Sequence, residues 1–519
     1  MRSALPIGML WAILLGASLL RVPVPGVNEP HYLTRARAFW DPAWCPGDLF
    51  LESAPAHRAF YLAIGWLTRI LPFDQAAIVG RFAGLAVLAW GWWRLCDALA
   101  FGAARAAAAL SVLLLLQTLG SWSGEWIVGG IESKVFAYGL GFAGLGAWLS
   151  RREPAAGLWL GLATTAHPLV GGWMMAAVGL AELGRRRWMP EFAPEQSTRR
   201  RLIALSLWWF VAAAPGIVWA MSAIRSPDAL TSLQADFIQV SYRLAHHLDA
   251  WTFPRESHRW FACLCALWLL LRHASGSRSL LRRIDVVAGC SLAVSLGIVL
   301  ATAGPRPLRM PLSAVEEWQV RLLKFYGFRM ADALIPVALS LHAAEFWYGL
   351  VRAHRPRWAL LPVLGAYAIA VAAPGPDQNP SRMTPDVRRD WRAAMHWIRE
   401  RSAEGALIQA ANENWGVKWY AERPEYVNFK DCPQDAAGIV EWNRRLSRFT
   451  SWSRAGLADD GRVSAADLER LRDETGIEFL ISSRFGPIDV EPVYANATFR
   501  VHRTAPGAET DASSQSRSR

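Results

Sequence analysis

The chain has 519 residues, 53% of them hydrophobic, with 28 Trp and a mean hydropathy of +0.16, an apolar excess that calls for a bilayer rather than a single soluble fold. The net charge of +12 rests on Arg, because Lys134, Lys324, Lys418 and Lys430 are the only Lys among 55 basic residues. No basic stripe interleaved with aromatics stands outside the loops, so nucleic acid is excluded as a partner.

A spanning helix needs roughly 20 mostly apolar residues. That rule predicts spans near 4–22, 76–94, 106–121, 131–149, 202–222, 258–272, 285–303, 331–350 and 358–373. The first is read as an uncleaved helix, since no small-x-small cleavage site follows it. Residues 155–183 are too long for one straight span and are interrupted at His167-Pro168. Proline removes a backbone donor and disfavours helix in the residue before it, so two short helices meeting there are expected, about eleven spans in all.

Charge in the loops tests that count. With a cytoplasmic N-terminus the inner loops hold 17 basic residues in 55 positions and the outer loops 13 in 131, as the positive-inside rule requires. Reading 155–183 as a single span would put the densest cluster, Arg185–Arg187 and Arg199–Arg201, on the wrong side. The outer loops, among them the long one at 23–75, are acidic and aromatic, which places function on that face. Residues 57–73 and 312–329 read as helices lying in the interface.

After residue 377 the composition becomes that of a soluble domain. Helices are expected over 386–402, 433–448 and 464–475, with strands at 405–410 and 477–482 and a strand pair around 491–502. The pattern predicts a small α/β domain with a largely parallel sheet. The expected organisation is therefore an all-α polytopic membrane domain over 1–376, an extracytoplasmic α/β domain over 377–503, and a disordered polar tail over 504–519. The six Cys show no metal-ligand spacing; Cys45 and Cys432 fall on one predicted face, where they either pair or stay free.

Candidate chemistry begins at Asn28-Glu29-Pro30-His31-Tyr32, just past the first helix. A carboxylate at Glu29 either takes a proton from an acceptor hydroxyl or holds a divalent cation bridging a lipid-linked phosphate. The same loop carries Asp41, Asp48, Glu52 and His57 among aromatics. The second outer loop supplies Glu125, Trp126, Glu132 and Lys134; charge at a span threshold is costly unless paired or facing water. His167 stands at a helix break, the kind of place that surrounds a cavity. Arg321, Lys324, Arg329 and Asp332 crowd the start of the tenth span, where Arg forks and a Lys point charge suit phosphate. His246 and His247 lack metal spacing and read as loop residues. With no Walker A sequence, dinucleotide fingerprint, Ser-His-Asp pattern or zinc spacing, a nucleotide-driven enzyme is disfavoured.

A first helix followed by an outer loop that opens on an acid and a Tyr (Glu29-Pro30-His31-Tyr32), and then interfacial helices, resembles the GT-C glycosyltransferases. That resemblance implies a membrane enzyme that takes sugar from a polyprenyl-phosphate carrier, with Glu29 as catalytic base. Many such proteins carry two adjacent acids in this loop; here Asn28 takes the earlier place, which leaves a metal role without its pair. The set Glu132-Ser133-Lys134, His167-Pro168, Asn428-Phe429-Lys430-Asp431 and Glu441-Trp442 also resembles an uncharacterised bacterial membrane family of unknown function.

The reading is thus an inner-membrane, GT-C-like protein with Glu29, Glu125 and Glu132 as catalytic acids and bases. His31, Lys134, His167, Arg321, Lys324 and Arg329 bind substrate or its phosphate. No cofactor is required by the residues beyond the divalent cation left open at Glu29, and the partners are membrane lipid and a lipid-borne donor. The alternatives are a transporter or flippase, which needs charges near the midplane where Arg81 and Glu345 are the main ones, and a non-catalytic assembly protein, which needs its outer charges scattered.

Overall fold

A computed structural model describes residues 3–190, 197–274, 279–304, 306–354, 359–373, 383–410, 416–484 and 486–504. The expected polar tail lies outside these from residue 505 onward. The chain is 70% helical, with a small C-terminal sheet.

A helix occupies every segment expected to span. Five are long and apolar enough to cross a membrane: Ala4–Arg21, Phe73–Ala98, Thr198–Ala223, Leu280–Ala301 and Arg329–His354. In Thr198–Ala223 only 17% of the apolar window is buried, and Leu207, Phe210, Val211 and Val218 point outward. Such a helix would be unstable in water and is at home in hydrocarbon. The chain is an integral membrane protein.

The break at His167-Pro168 is present. One helix ends at Ala166, the next starts at Pro168, and His167 between them is extended at φ −150°. Proline suits the first helical position because its missing N–H would have had no partner there. Elsewhere close packing depends on glycine: a Cβ on Gly91 of Phe73–Ala98 would fall on the Gly139 carbonyl of Ser133–Leu149.

Several buried charges in the helical domain are held by partners of opposite charge. Arg81 binds Glu29, Arg105 binds Glu345 at 2.9 Å, and His342 binds Asp285 at 2.8 Å. At one end of the bundle Glu182 accepts from Arg201 at 3.0 Å and also from Arg185 and Trp148, while Glu153 takes the other edge of Arg201.

The C-terminal sheet has the order β1–β2–β4–β3. Strand β1 (Ile408–Ala410) runs parallel to β2 (Phe479–Ser483), but β4 (Phe499–Arg503) is antiparallel to β2 and to β3 (Tyr494–Ala495). The expectation of a largely parallel sheet is corrected here. The last two strands form a tight hairpin, turned at Asn496, whose side chain accepts from the Thr498 and Phe499 amides, and no crossover helix separates it from β2. Alternation along β2 sends Phe479 and Ile481 toward the helix Pro385–Arg401 and Leu480 toward Ala436–Gly456 and Ala465–Thr475. Cys45 and Cys432 are buried free thiols in separate clusters.

This domain docks on the first loop. Trp419 donates to Asp74 at 2.8 Å, and Lys418 reaches Asp48 at 3.2 Å, Glu425 at 3.1 Å and Asp431 at 2.8 Å. The segment Asn428–Gln434 is thereby held against the ends of the membrane helices.

Candidate functional site

Between those helix ends and the C-terminal domain lies a cavity of about 220 Å³. Five stretches far apart in sequence line it: the first loop (Asn28, His31, Tyr32, His57), the second (Ser123 to Trp126, Glu132, Lys134), the His167 break, the loop carrying Arg243 and His247, and the segment with Lys430 and Gln434; Tyr326 and Arg329 close it.

Of the residues singled out from sequence, His31, Glu125, Glu132, Lys134, His167 and Arg329 converge here. Glu125 is gripped on both oxygens: Tyr138 donates at 2.8 Å and Lys134 lies 3.8 Å away on one, and Arg329 sits 2.9 Å from the other. Glu132 accepts from Asn28 at 2.9 Å and lies 3.5 Å from Lys134. Lys134 is thus shared by two carboxylates, and its ammonium also rests 3.7 Å from the centre of the Trp126 ring. Arg329 stacks over Tyr326 at 4.4 Å and approaches His167 at 3.4 Å.

Three of the expected residues stand elsewhere. Glu29 is sealed: Arg81 donates to both its oxygens at 2.7 and 2.8 Å, and the amides of Gly26 and Ile131 complete the set at 2.6 and 2.8 Å. Gly130 makes room, since a Cβ there would lie 2.8 Å from the carboxyl carbon. A fully enclosed, four-donor ion pair staples the end of the first helix to the second loop and has no open lone pair facing the cavity. Arg321 lies on the exposed side of Ala314–Leu323 against Glu317, and Lys324 is bound to Asp236 at 2.7 Å. Trp318 and Phe325 of that segment are exposed, as suits an interfacial helix whose cations snorkel.

The histidines of the site are neutral at physiological pH. Burial, with His31 and Arg329 adding to it, pushes His57 down to about 3. Burial beside His246 pushes His247 to about 3 as well. His31 is also lowered by burial, with Asp431 pulling the other way. Tyr32 is raised by burial and by Glu132, so it stays a phenol, within 3.3 Å of the Ser133 hydroxyl that also approaches His57.

Sequence reasoning assigned no role to Arg243, His247, Lys430 or Gln434. Arg243 donates to the Lys430 carbonyl at 3.0 Å, and His247 bonds the Ser123 carbonyl at 2.6 Å beside Gly124, whose φ of +78° and missing Cβ admit the imidazole ring. The only signal for them was a His pair and a Lys in a loop. Asp332, noted as part of a cation cluster, instead accepts from the amides of Trp122, Ser123 and Glu125 and shapes the second loop. Among the described residues no group of three or more His, Cys, Asp or Glu is placed to hold a metal ion.

The family described as Domain of unknown function (DUF6798) matches residues 389–449, a stretch that includes Lys418, Glu425, Lys430 and Asp431. No curated protein matches the chain. Solved structures that resemble it include the following two. The Archaeoglobus fulgidus oligosaccharyltransferase, in complex with zinc and sulfate, is 13% identical, with a TM-score of 0.45 over 92% of this chain and 68% of that one. ArnT from Cupriavidus metallidurans in the apo state is 10% identical, with a TM-score of 0.40 over 96% of this chain and 97% of that one.

Proposed function

We propose that the protein is a membrane glycosyltransferase that takes a sugar from a polyprenyl-phosphate donor at the extracytoplasmic face. One observation carries this reading. The cavity at the helix ends is lined by four cations, Lys134, Arg243, Arg329 and Lys430, against two carboxylates, Glu125 and Glu132, while its histidines are held uncharged. Four against two leaves an excess of two positive charges, which suits the phosphate that a lipid carrier presents and that gains charge as it leaves.

In this account Lys134 and Arg329 meet the phosphate, with Glu125 and Glu132 fixing their positions. Glu29 anchors the site from behind. The inward concentration of basic loops supports the orientation; the odd number of spans expected from the sequence, about eleven, would return the chain to the outer face before residue 377, where the C-terminal domain would serve as a lid contributing Lys430 and Gln434. A transport role receives no support from Arg81 and Glu345, each of which is bound by a partner of opposite charge.

The test is transfer by the full-length protein in membrane vesicles supplied with polyprenyl-phosphate sugars. Lys134→Ala and Arg329→Ala are expected to abolish transfer. Vesicles with and without the protein that gave identical glycans and lipids for every donor supplied would overturn the proposal.

A further inference from the structure

Glycosyl transfer to a hydroxyl requires a base, and the three carboxylates that the sequence offers are poorly suited to it. Glu29 is enclosed by four donors; Glu125 has Tyr138, Lys134 and Arg329 on its two oxygens; and Glu132, which burial raises against the pull of Lys134, is occupied by the Asn28 amide and by Lys134. The neutral bases facing the cavity are four imidazoles, and their second nitrogens differ. Nδ1 of His57 faces the Ser133 hydroxyl, that of His167 faces the Val170 amide at the start of a helix, and that of His247 faces a backbone carbonyl.

His31 is different. Its Nδ1 lies 3.0 Å from Asp431 Oδ1, and Asp431 Oδ2 is held at 2.8 Å by Lys418 and at 3.1 Å by the Asn428 amide. The ring is stacked on Phe50 at 4.4 Å, which fixes its plane. A carboxylate on Nδ1 selects the tautomer that leaves Nε2 unprotonated and stabilises the imidazolium formed when Nε2 takes a proton. Burial alone would raise Asp431, but Lys418 and His31 together hold it well below the usual carboxylate range, so it remains charged throughout.

We infer that His31 is the proton-accepting catalytic residue and that Asp431, from the C-terminal domain 400 positions away, is its positioning residue. The step rests on the glycosyltransferase reading. The acceptor hydroxyl oxygen forms a bond to the anomeric carbon, its proton passes to His31 Nε2, and the bond from that carbon to the donor phosphate oxygen breaks with its electron pair staying on the phosphate. Product departure and loss of the imidazolium proton to water restore His31. The groups facing His31 are Asp431 and Lys430 from the C-terminal domain, Arg243 from the end of the helical turn Ile238–Arg243, and His57 and Tyr32 from its own loop. A site assembled this way is complete only while the C-terminal domain is docked.

Two measurements on the full-length protein in detergent separate this inference from the reading beneath it. Diethyl pyrocarbonate, which modifies neutral imidazole, is followed at His31 by mass spectrometry against pH. Asp431→Asn is expected to lower the midpoint of His31 modification by at least ~1 pH unit, the scale of a lost carboxylate neighbour, and Asp431→Glu to restore most of it. With a polyprenyl-phosphate sugar as probe, His31→Gln is expected to lower kcat ~10²–10⁴-fold, the range of a lost general base, with KM for the donor little changed. An unmoved midpoint in Asp431→Asn, or full kcat in a folded His31→Gln, overturns the inference. A shifted midpoint in a protein that transfers no sugar would uphold the dyad as a pair and strike down its catalytic role along with the glycosyltransferase reading.

Discussion

At one end of the helical bundle Glu153, Glu182, Arg185 and Arg201 pack shut against Trp148; at the other, Glu125, Glu132, Lys134 and Arg329 gather beside Trp126 and stay open to a cavity. The ingredients match: two Glu, two cations and a Trp at each end. The closed cluster pairs its two Glu with its own Arg185 and Arg201 and is buried, so a ligand has no access to it. The open one borrows Arg243 and Lys430 from other loops, and the extra positive charge makes it a binding surface. Buried ion pairs are therefore poor markers of function by themselves; what separates the two ends is access and net charge.

The largest effect is expected at the closed end. Arg201→Leu leaves Glu153 and Glu182 short of a partner and should cost about 3–5 kcal/mol of stability, read as a fall in thermal midpoint or in folded yield. Phosphate affinity of whatever folds should stay unchanged; a selective loss of affinity would break the comparison. At the open end Lys134→Ala removes a cation shared by two carboxylates and should weaken phosphate binding ~10–100-fold, the scale of one charge-assisted hydrogen bond.

Acidity sharpens the picture at the junction with the C-terminal domain. Burial pushes Glu425 up to about 7 against the pull of Lys418, so the folded protein keeps a proton that the unfolded chain releases near 4.5. The stability this contributes is fully present below pH 4.5 and is lost as pH rises through about 7. Urea titrations of the full chain across that window should show stability falling with pH, and Glu425→Gln should flatten the slope. The smallest effect is at Gly124, where Ala would strain a left-handed backbone by about 1–2 kcal/mol and displace His247 from the cavity wall, visible as a modest loss of both thermal midpoint and affinity.

Much of this architecture could be read from local chemistry. Apolar length located the helices, and a proline beside a histidine located the break. Charge at a span threshold, costly unless paired or facing water, drew notice to Glu132 and Lys134, which lie 3.5 Å apart on the cavity wall. Glu29 attracted notice for the same reason, but whether a carboxylate is open or sealed depends on Arg81, 52 positions on, and on two loop amides. Arg321 and Lys324 shared a sequence cluster with Arg329 and diverged from it because the short helix Ala314–Leu323 sets Arg321 on its exposed side against Glu317 and leaves Lys324, just past its end, on Asp236. Arg243, His247 and Lys430 were illegible for the opposite reason: each sits in an unremarkable loop, and only tertiary folding brings these loops together. The strand pair around 491–502 was legible, but the alternation of helix and strand before it suggested a largely parallel sheet, whereas the pair joins β2 in the antiparallel sense.

The most direct test of the central claim is equilibrium binding of polyprenyl phosphate, without any sugar, to the full-length protein in nanodiscs of zwitterionic lipid. Saturable binding is predicted, weakened at least ~10-fold in the Arg243→Gln, Lys430→Gln double variant and reduced by added salt. Equal binding by the wild type and the folded double variant, or none by either, would contradict a phosphate-selective cavity at the membrane edge.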